Sequence, residues 1–80
     1  RVRMVRNALI AAGNSGDAAL VAPVVALLGD SEPMVRGAAI WALAQLDPAR
    51  HAAERAMRIA CEPDAGVLAE WRLADAPLRV

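Results

Sequence analysis

Arginine side chains are the main chemically active groups of this chain. All nine basic residues are arginine and none is lysine, and nine acidic residues bring the formal net charge to zero. A guanidinium group presents a planar fork of donors that matches the two oxygens of a phosphate or a carboxylate. The sequence therefore predicts sites for such anions. The alternative is a genome whose codons favour arginine together with alanine, which makes up a quarter of the chain.

The residues predicted to contact an anionic partner fall in two segments. Residues 1–16 carry three arginines and no acid, and residues 48–61 carry three arginines against one acid. The candidates are Arg1, Arg3, Arg6 and Asn14 in the first segment, and Arg50 and Arg55 in the second. Contacts to phosphates supply much of the affinity of nucleic-acid-binding proteins. The alternative for both segments is a solvated helix face, and in the second Glu54 and Arg58 are spaced to form an exposed pair.

The other reactive residues do not form a catalytic or metal-binding set. A single cysteine, Cys61, cannot form an internal disulfide or hold a multi-cysteine metal site. His51 has no serine, cysteine or aspartate at a catalytic spacing, so we expect a surface histidine. We predict no catalytic, cofactor-binding or metal-binding residue in this chain. The lone cysteine makes a reducing, cytoplasmic setting the default expectation. We also expect no membrane partner, because there is no apolar run of 18 residues and no charged-then-apolar leader.

The elements that must position these residues recur every thirty residues. The tripeptide at residues 4–6 returns at 34–36, the Glu-Pro pair at 32–33 returns at 62–63, and Trp41 returns as Trp71. A fixed period of about 20 to 50 residues is typical of stacked-repeat folds. Each period contains two helical patterns, so we predict an all-α solenoid of five helices and about two and a half repeats.

Capping residues predict the helix boundaries. The helices are expected at about residues 2–12, 18–28, 33–46, 48–60 and 64–73, with a glycine-rich turn at 13–16 after the first. Asp17, Ser31 and Asp47 are the predicted N-caps of the second, third and fourth helices. Pro23 predicts an irregular or 3₁₀ first turn in the second helix, with the regular part beginning near Ala22.

The whole chain is predicted to be one domain. Its repeat units are about 1–30, 31–60 and 61–76, followed by a tail at 77–80. Because a solenoid needs polar capping repeats at its ends, we expect the chain to be a C-terminal fragment of a larger protein. Its expected partners are upstream domains of the same chain, or a second copy bound through the uncapped ends.

Some recurring residues are better explained by repeat stacking than by a partner. Arg36 lies between two repeat-equivalent aspartates, Asp17 and Asp47, and is predicted to form an Arg–Asp ladder with them that fixes the stacking angle. Trp41 and Trp71 share one phase of the repeat and are predicted to pack between repeats. The alternative for the tryptophans is stacking on RNA bases.

Three strings in the sequence resemble a known family. VRNALIAAGNSGD at residues 5–17 looks like the opening of the C-terminal HEAT-like domain of epoxyqueuosine reductase, and PMVRGAAIWALAQL at 33–46 resembles its second repeat. Glu70-Trp71 resembles a pair near that family's C-terminus. The matches span most of residues 5–71. The first string is fairly specific, whereas Val-Arg-Gly-Ala-Ala is common in HEAT-like repeats generally.

The resemblance implies a HEAT-like fold and a parent protein of a particular kind. Members of that family are cytoplasmic, cobalamin-dependent iron–sulfur oxidoreductases that reduce epoxyqueuosine to queuosine in tRNA. Their cobalamin, cluster and catalytic motifs have no counterpart in this chain. The resemblance therefore implies a non-catalytic domain that packs on the upstream catalytic core and helps to hold tRNA. The alternative is a generic HEAT-repeat scaffold for protein–protein interactions.

Overall fold

Five α-helices account for most of residues 1–75, the part of the chain that the computed structural model describes. They are α1 (Val2–Ser15), α2 (Val21–Ala26), α3 (Pro33–Leu46), α4 (Pro48–Arg58) and α5 (Ala65–Asp75). Short 3₁₀ turns lie at Ala18–Leu20, Leu27–Gly29 and Ile59–Cys61. No strand occurs in residues 1–75, and the predicted all-α class is confirmed. The predicted tail at 77–80 lies outside the described residues.

Two of the predicted N-caps are confirmed. The Asp17 carboxylate accepts a hydrogen bond from the Ala19 N–H at 2.9 Å, and the Asp47 carboxylate accepts one from the Arg50 N–H at 3.0 Å. Each carboxylate satisfies a backbone donor that has no acceptor within its own helix. Pro48 follows as the first residue of α4, where the missing proline N–H costs little.

The predicted cap at Ser31 is wrong. The residue before α3 is Glu32, which makes no capping hydrogen bond through its side chain. Instead, the Asp30 carboxylate accepts a hydrogen bond from the Glu32 N–H at 3.0 Å. The turn between α2 and α3 is therefore organised one residue earlier than the sequence suggested.

The first helix ends three residues later than predicted. Gly13, Asn14 and Ser15 continue α1, and only Gly16 adopts the left-handed conformation, at φ 69°, that ends it. The second helical segment does begin with the predicted 3₁₀ turn, and regular α-helix starts at Val21. Glycine alone did not distinguish a helix end from a helix interior.

Helix α3 lies at the centre of the stack. It contacts α1, α2, α4 and α5. Its inward residues are almost completely buried: Val35, Ala39, Ile40, Ala42 and Leu43. The first helices of successive repeats, α1, α3 and α5, lie side by side, while α2 and α4 pack against α3 from the other layer. This arrangement sets which side chains of α1, α3 and α5 share a surface.

Gly13 allows α1 and α3 to approach closely. It is buried inside α1, and a Cβ placed on it would lie 2.5 Å from Cζ3 of Trp41 and 3.1 Å from Cα of Ala42. The first distance is far inside the optimal separation of two carbon atoms, about 3.5–4.0 Å. Trp41 thus packs across the contact between the first two repeats.

We expect Gly13→Ala to lower the free energy of unfolding by about 1 kcal/mol. Overpacking costs about 1–3 kcal/mol, and the higher helix propensity of alanine offsets up to about 1 kcal/mol of it. The matched control is Gly37→Ala in α3, where an added Cβ meets open space and should stabilise by about 0.5–1 kcal/mol. Urea denaturation measures both. An equal gain in the two variants would show that the Trp41 ring is not held against Gly13.

Candidate functional site

An open groove of about 550 Å³ crosses α1, α3 and α5. We call it the α1–α3–α5 groove. Its apolar walls include Ile10 and Met34, whose side chains are 41% and 52% exposed, together with one face of the half-buried Trp41. Gly37 leaves space at the centre of the groove, because a Cβ there would touch nothing. Large apolar side chains exposed together in a concave surface are typical of interaction sites.

The groove carries a cation at one end and carboxylates at the other. Arg6 of α1 is half-buried, and its Nη1 lies 4.0 Å from the sulfur of Met34. The Arg6 Nε is buried and has no acceptor among the described atoms. Asp64 and Glu70 line the groove from α5 and the turn before it. Burial raises the pKa of Glu70 above its ordinary value.

A second groove of about 690 Å³ lies between α1 and α2. We call it the α1–α2 groove. Ser15 is its one polar residue, and the others are aliphatic side chains, proline and the strongly exposed Met4. No charged residue contributes to it. It differs in this respect from the α1–α3–α5 groove.

The structure separates the predicted anion-binding residues of the first segment. Arg3 and Asn14 are exposed on α1, and Arg6 lies in the groove described above. Both terminal nitrogens of Arg1 donate to the Asp30 carboxylate. This contact holds the pKa of Asp30 below its usual range. Arg3 is therefore the exposed arginine of this segment for which residues 1–75 supply no ion pair.

Two of the three arginines of α4 donate hydrogen bonds to a buried carboxylate. Glu54 is buried and accepts hydrogen bonds from Nε of Arg58 at 2.8 Å and from Nε of Arg50 at 3.0 Å. The hydrogen bond from Arg58, followed by that from Arg50, lowers the pKa of Glu54. The predicted pair of Glu54 and Arg58 is present, but the expectation that it is exposed is wrong for the glutamate, which is buried. Arg55 is half-buried. Arg3 and Arg6 lie on α1, whereas Arg50 and Arg55 lie on α4, so the two predicted segments belong to different helices that each pack on α3.

The predicted Arg–Asp ladder is also wrong. Arg36 donates from Nε and Nη2 to the two carboxylate oxygens of Glu62, at 2.9 and 2.7 Å. Its Nη1 donates to the backbone carbonyl groups of Asp30 and Ser31, at 2.9 and 3.2 Å. The predicted partners Asp17 and Asp47 serve as N-caps instead. A sequence signal for the true partner existed, because the Glu-Pro pair at 62–63 belongs to the thirty-residue repeat.

His51 is buried rather than on the surface. Its ring lies 5.1 Å from that of Trp71, centroid to centroid, with an angle of 52° between the planes. Trp71 is 1% exposed, whereas Trp41 is half-buried between the first two repeats. His51 and Glu54 share the inward face of α4, where the amino-acid pattern offers no large apolar residue. The many charged residues of α4 therefore predicted an exposed helix, although two of its polar residues, His51 and Glu54, are buried.

The described residues contain no set of three or more histidine, cysteine, aspartate or glutamate side chains placed to hold a metal ion. Over the same residues, no helix has the length and apolar character needed to cross a bilayer. The grooves and the arginine side chains are thus the features from which a function can be argued.

Comparison with known proteins supplies one match. The sequence model of a protein family described as HEAT repeats matches residues 2–74, which takes in α1 to α4 and all but the last residue of α5. No curated protein and no solved structure matches the chain.

Proposed function

The chain belongs to the HEAT-repeat family, and from that premise we propose that it is a non-catalytic scaffold that binds a protein segment in the α1–α3–α5 groove. Solenoids of this kind commonly bind partners along the surface formed by equivalent helices of successive repeats. The observation that carries the proposal is the groove itself, in which Ile10, Met34 and Trp41 leave apolar surface open to solvent.

The energetics favour a partner with apolar side chains. Fully burying one large aliphatic or aromatic side chain contributes about 1.5–3 kcal/mol. Ile10 and Met34 would be covered by a segment lying across α3, and the space above Gly37 admits a side chain of the partner. Association itself costs at least about 4 kcal/mol in lost freedom, so two or three such contacts must be joined by hydrogen bonds at the rim to reach micromolar affinity, about 8 kcal/mol.

A selection of random peptides displayed on phage tests this function. We expect peptides to be enriched on the immobilised chain and to bind at least tenfold more weakly to Met34→Glu. The control is Met57→Glu in α4, because Met57 is 66% exposed and lies outside the α1–α3–α5 groove. Failure to enrich any binder, or equal loss in both variants, would argue against this groove as the binding site.

A second candidate function rests on Arg3. We propose that the chain is the HEAT-like domain of an epoxyqueuosine-reductase-like protein and that it assists tRNA binding while packing on catalytic domains elsewhere in the parent. The cobalamin and iron–sulfur clusters would belong to those other domains. Support comes from the resemblance at residues 5–17 and from the exposure of Arg3, which makes no ion pair within residues 1–75.

We expect Arg3→Glu to weaken binding of tRNA to the chain. Each lost phosphate contact should reduce the slope of log affinity against log salt by about 1, because fewer counterions are released. Fluorescence anisotropy with labelled tRNA at several salt concentrations measures both quantities. Arg72→Glu in α5 makes the same change in net charge. An unchanged slope for Arg3→Glu, or the same change in both variants, would contradict a specific contact at Arg3.

We further propose that the α1–α2 groove is where the predicted self-association would occur. Its uncharged, apolar lining places no like charges against each other when two copies meet. Sedimentation equilibrium of the chain should then show dimers, and Met4→Glu should shift them to monomers. Met57→Glu, an equally drastic change at another exposed methionine, should leave the dimers intact. A monomeric parent chain would rule this contact out.

A further inference from the structure

Arg6 is the unsatisfied copy of a repeated arginine. Its equivalent thirty residues later, Arg36, has every guanidinium nitrogen hydrogen-bonded, two of them to Glu62. The acid equivalent to Glu62 in the earlier repeat is Glu32, which is exposed and forms no ion pair with Arg6. Within residues 1–75 the hydrogen-bond contact of the Arg6 side chain is a long one, from Nη1 to the weakly accepting sulfur of Met34.

The position of Arg6 in the groove leaves it suited to an external carboxylate. Its Nε is shielded from water without an acceptor, and Nη1 reaches the groove wall at Met34. A buried N–H without an acceptor is unfavourable, and a carboxylate offers the two-oxygen geometry that the equivalent Arg36 finds in Glu62. A partner that brings a carboxylate to Arg6 would supply what this repeat lacks.

The opposite end of the groove is suited to a cation. Glu70 is half-buried, and within the described residues no arginine pairs with it. The repeat does not demand a glutamate there, because the equivalent residues are Ile10 and Ile40. Trp41 lines the groove together with Glu70. An indole face beside a carboxylate is a favourable setting for a guanidinium or ammonium group.

We infer that the α1–α3–α5 groove recognises a peptide segment with an acidic side chain at the Arg6 end, a lysine or arginine at the Glu70 end, and apolar side chains between them. The inference rests on the proposed scaffold function and adds the chemistry of the partner. Asp64 also lines the groove beside Glu70. These two carboxylates disfavour a nucleic-acid backbone as the occupant, since phosphates would meet like charge.

The phage selection described above also tests this chemistry. We expect the enriched peptides to share one acidic and one basic residue separated by apolar residues. A synthetic peptide of the enriched sequence should bind Arg6→Glu at least tenfold more weakly, and its acid-to-lysine version should recover that loss on the same variant. Glu70→Gln should weaken the parent peptide about tenfold and leave a peptide with leucine in place of its basic residue unaffected.

The control variant is Arg72→Glu, which alters net charge equally and lies outside the groove. All variants are first checked for an unchanged circular dichroism spectrum. Enriched peptides that are uncharged, or that bind Arg6→Glu and Glu70→Gln as tightly as the unmodified chain, would overturn the inference and leave the scaffold function standing. A selection that enriches nothing would overturn both. Binding of RNA that is lost on Arg6→Glu would also overturn the inference, because the occupant would then be a phosphate backbone.

Discussion

Truncation of Trp71 to alanine should lower the free energy of unfolding by about 3–5 kcal/mol. Trp71 is 1% exposed and is the largest fully buried side chain among the described residues. It joins α5 to α4 through the ring of His51. Removing the indole would leave a cavity bordered by a buried imidazole, and a rigid stack of helices closes such a cavity only in part.

The expected loss is large for a molecule of this size. Proteins of 80 residues have free energies of unfolding of about 4–12 kcal/mol, so the loss is roughly half of the stability near the middle of that range and nearly all of it at the lower end. Urea denaturation followed by far-ultraviolet circular dichroism measures the change. Trp41→Ala is the matched comparison, because Trp41 is half-buried and should lose clearly less. Equal losses would contradict the larger contribution expected from the fully buried indole of Trp71.

Replacement of Arg36 by methionine should cost about 2–3 kcal/mol. Breaking a fully buried ion pair costs about 3–5 kcal/mol, and an exposed pair contributes about 1 kcal/mol or less. The Arg36 and Glu62 side chains are 15% and 7% exposed, which places this pair nearer the buried limit. The substitution also removes the donor of two backbone carbonyl groups in the turn before α3.

A second substitution distinguishes the loss of the Arg36–Glu62 attraction from the cost of leaving Glu62 charged without a partner. Arg36→Met combined with Glu62→Leu removes both charges, and we expect it to recover most of the loss, as apolar replacements of buried pairs often do. Thermal unfolding at pH 7 compares the single and double variants. If the double variant were as unstable as the single one, hydrogen bonds to backbone groups would carry most of the effect, namely those from Arg36 to Asp30 and Ser31 and the one from the Asp64 N–H to Glu62.

The same pair makes stability depend on pH. Hydrogen bonds from Arg36 lower the pKa of Glu62 in the folded state, so the unfolded chain takes up the Glu62 proton at higher pH than the folded one. The stabilisation is therefore complete above the ordinary glutamate pKa of about 4.3 and is lost as the pH falls toward the lowered value. Glu54 acts in the same direction. The raised pKa of Glu70 acts in the opposite direction and partly offsets them.

Glu62→Gln should flatten the acid limb of the stability curve. We expect the free energy of unfolding of the unmodified chain to fall between about pH 5 and pH 3, and the variant to show a shallower fall from a lower starting value. Urea denaturation at a series of pH values measures this. Glu32→Gln, at the repeat-equivalent position without the ion pair, is the control, and an equal flattening in both variants would contradict the role given to the Arg36–Glu62 pair.

The periodicity of the sequence was sufficient for the fold class and the order of the helices. It records which residues recur, and recurring residues such as Val35 and Trp71 belong to the buried core. Local capping chemistry also predicted well where the acceptor and donor lie within a few residues, as at Asp17 and Asp47.

The partners across repeats were not predictable in the same way. Whether Arg36 meets an aspartate or Glu62 depends on how far each helix is rotated about its axis, and the thirty-residue period does not contain that angle. The buried His51 and Glu54 escaped for a related reason, since the inward face of α4 is polar. Of the residues that line the α1–α3–α5 groove, only Arg6 was predicted from the sequence to contact a partner. The other walls of the groove depend on which side of α3 the neighbouring helices leave exposed.

The central position of α3 has a mechanical consequence. Helices α1 and α5 each pack on α3, so the angle between them depends mainly on how each of the two is packed against α3. In stacked-repeat folds the small rotations between neighbouring repeats add up to the curvature of the whole stack. A ligand that contacts α1 and α5 at the same time would fix both helices relative to α3. The curvature of the molecule would then differ between the filled and the empty groove.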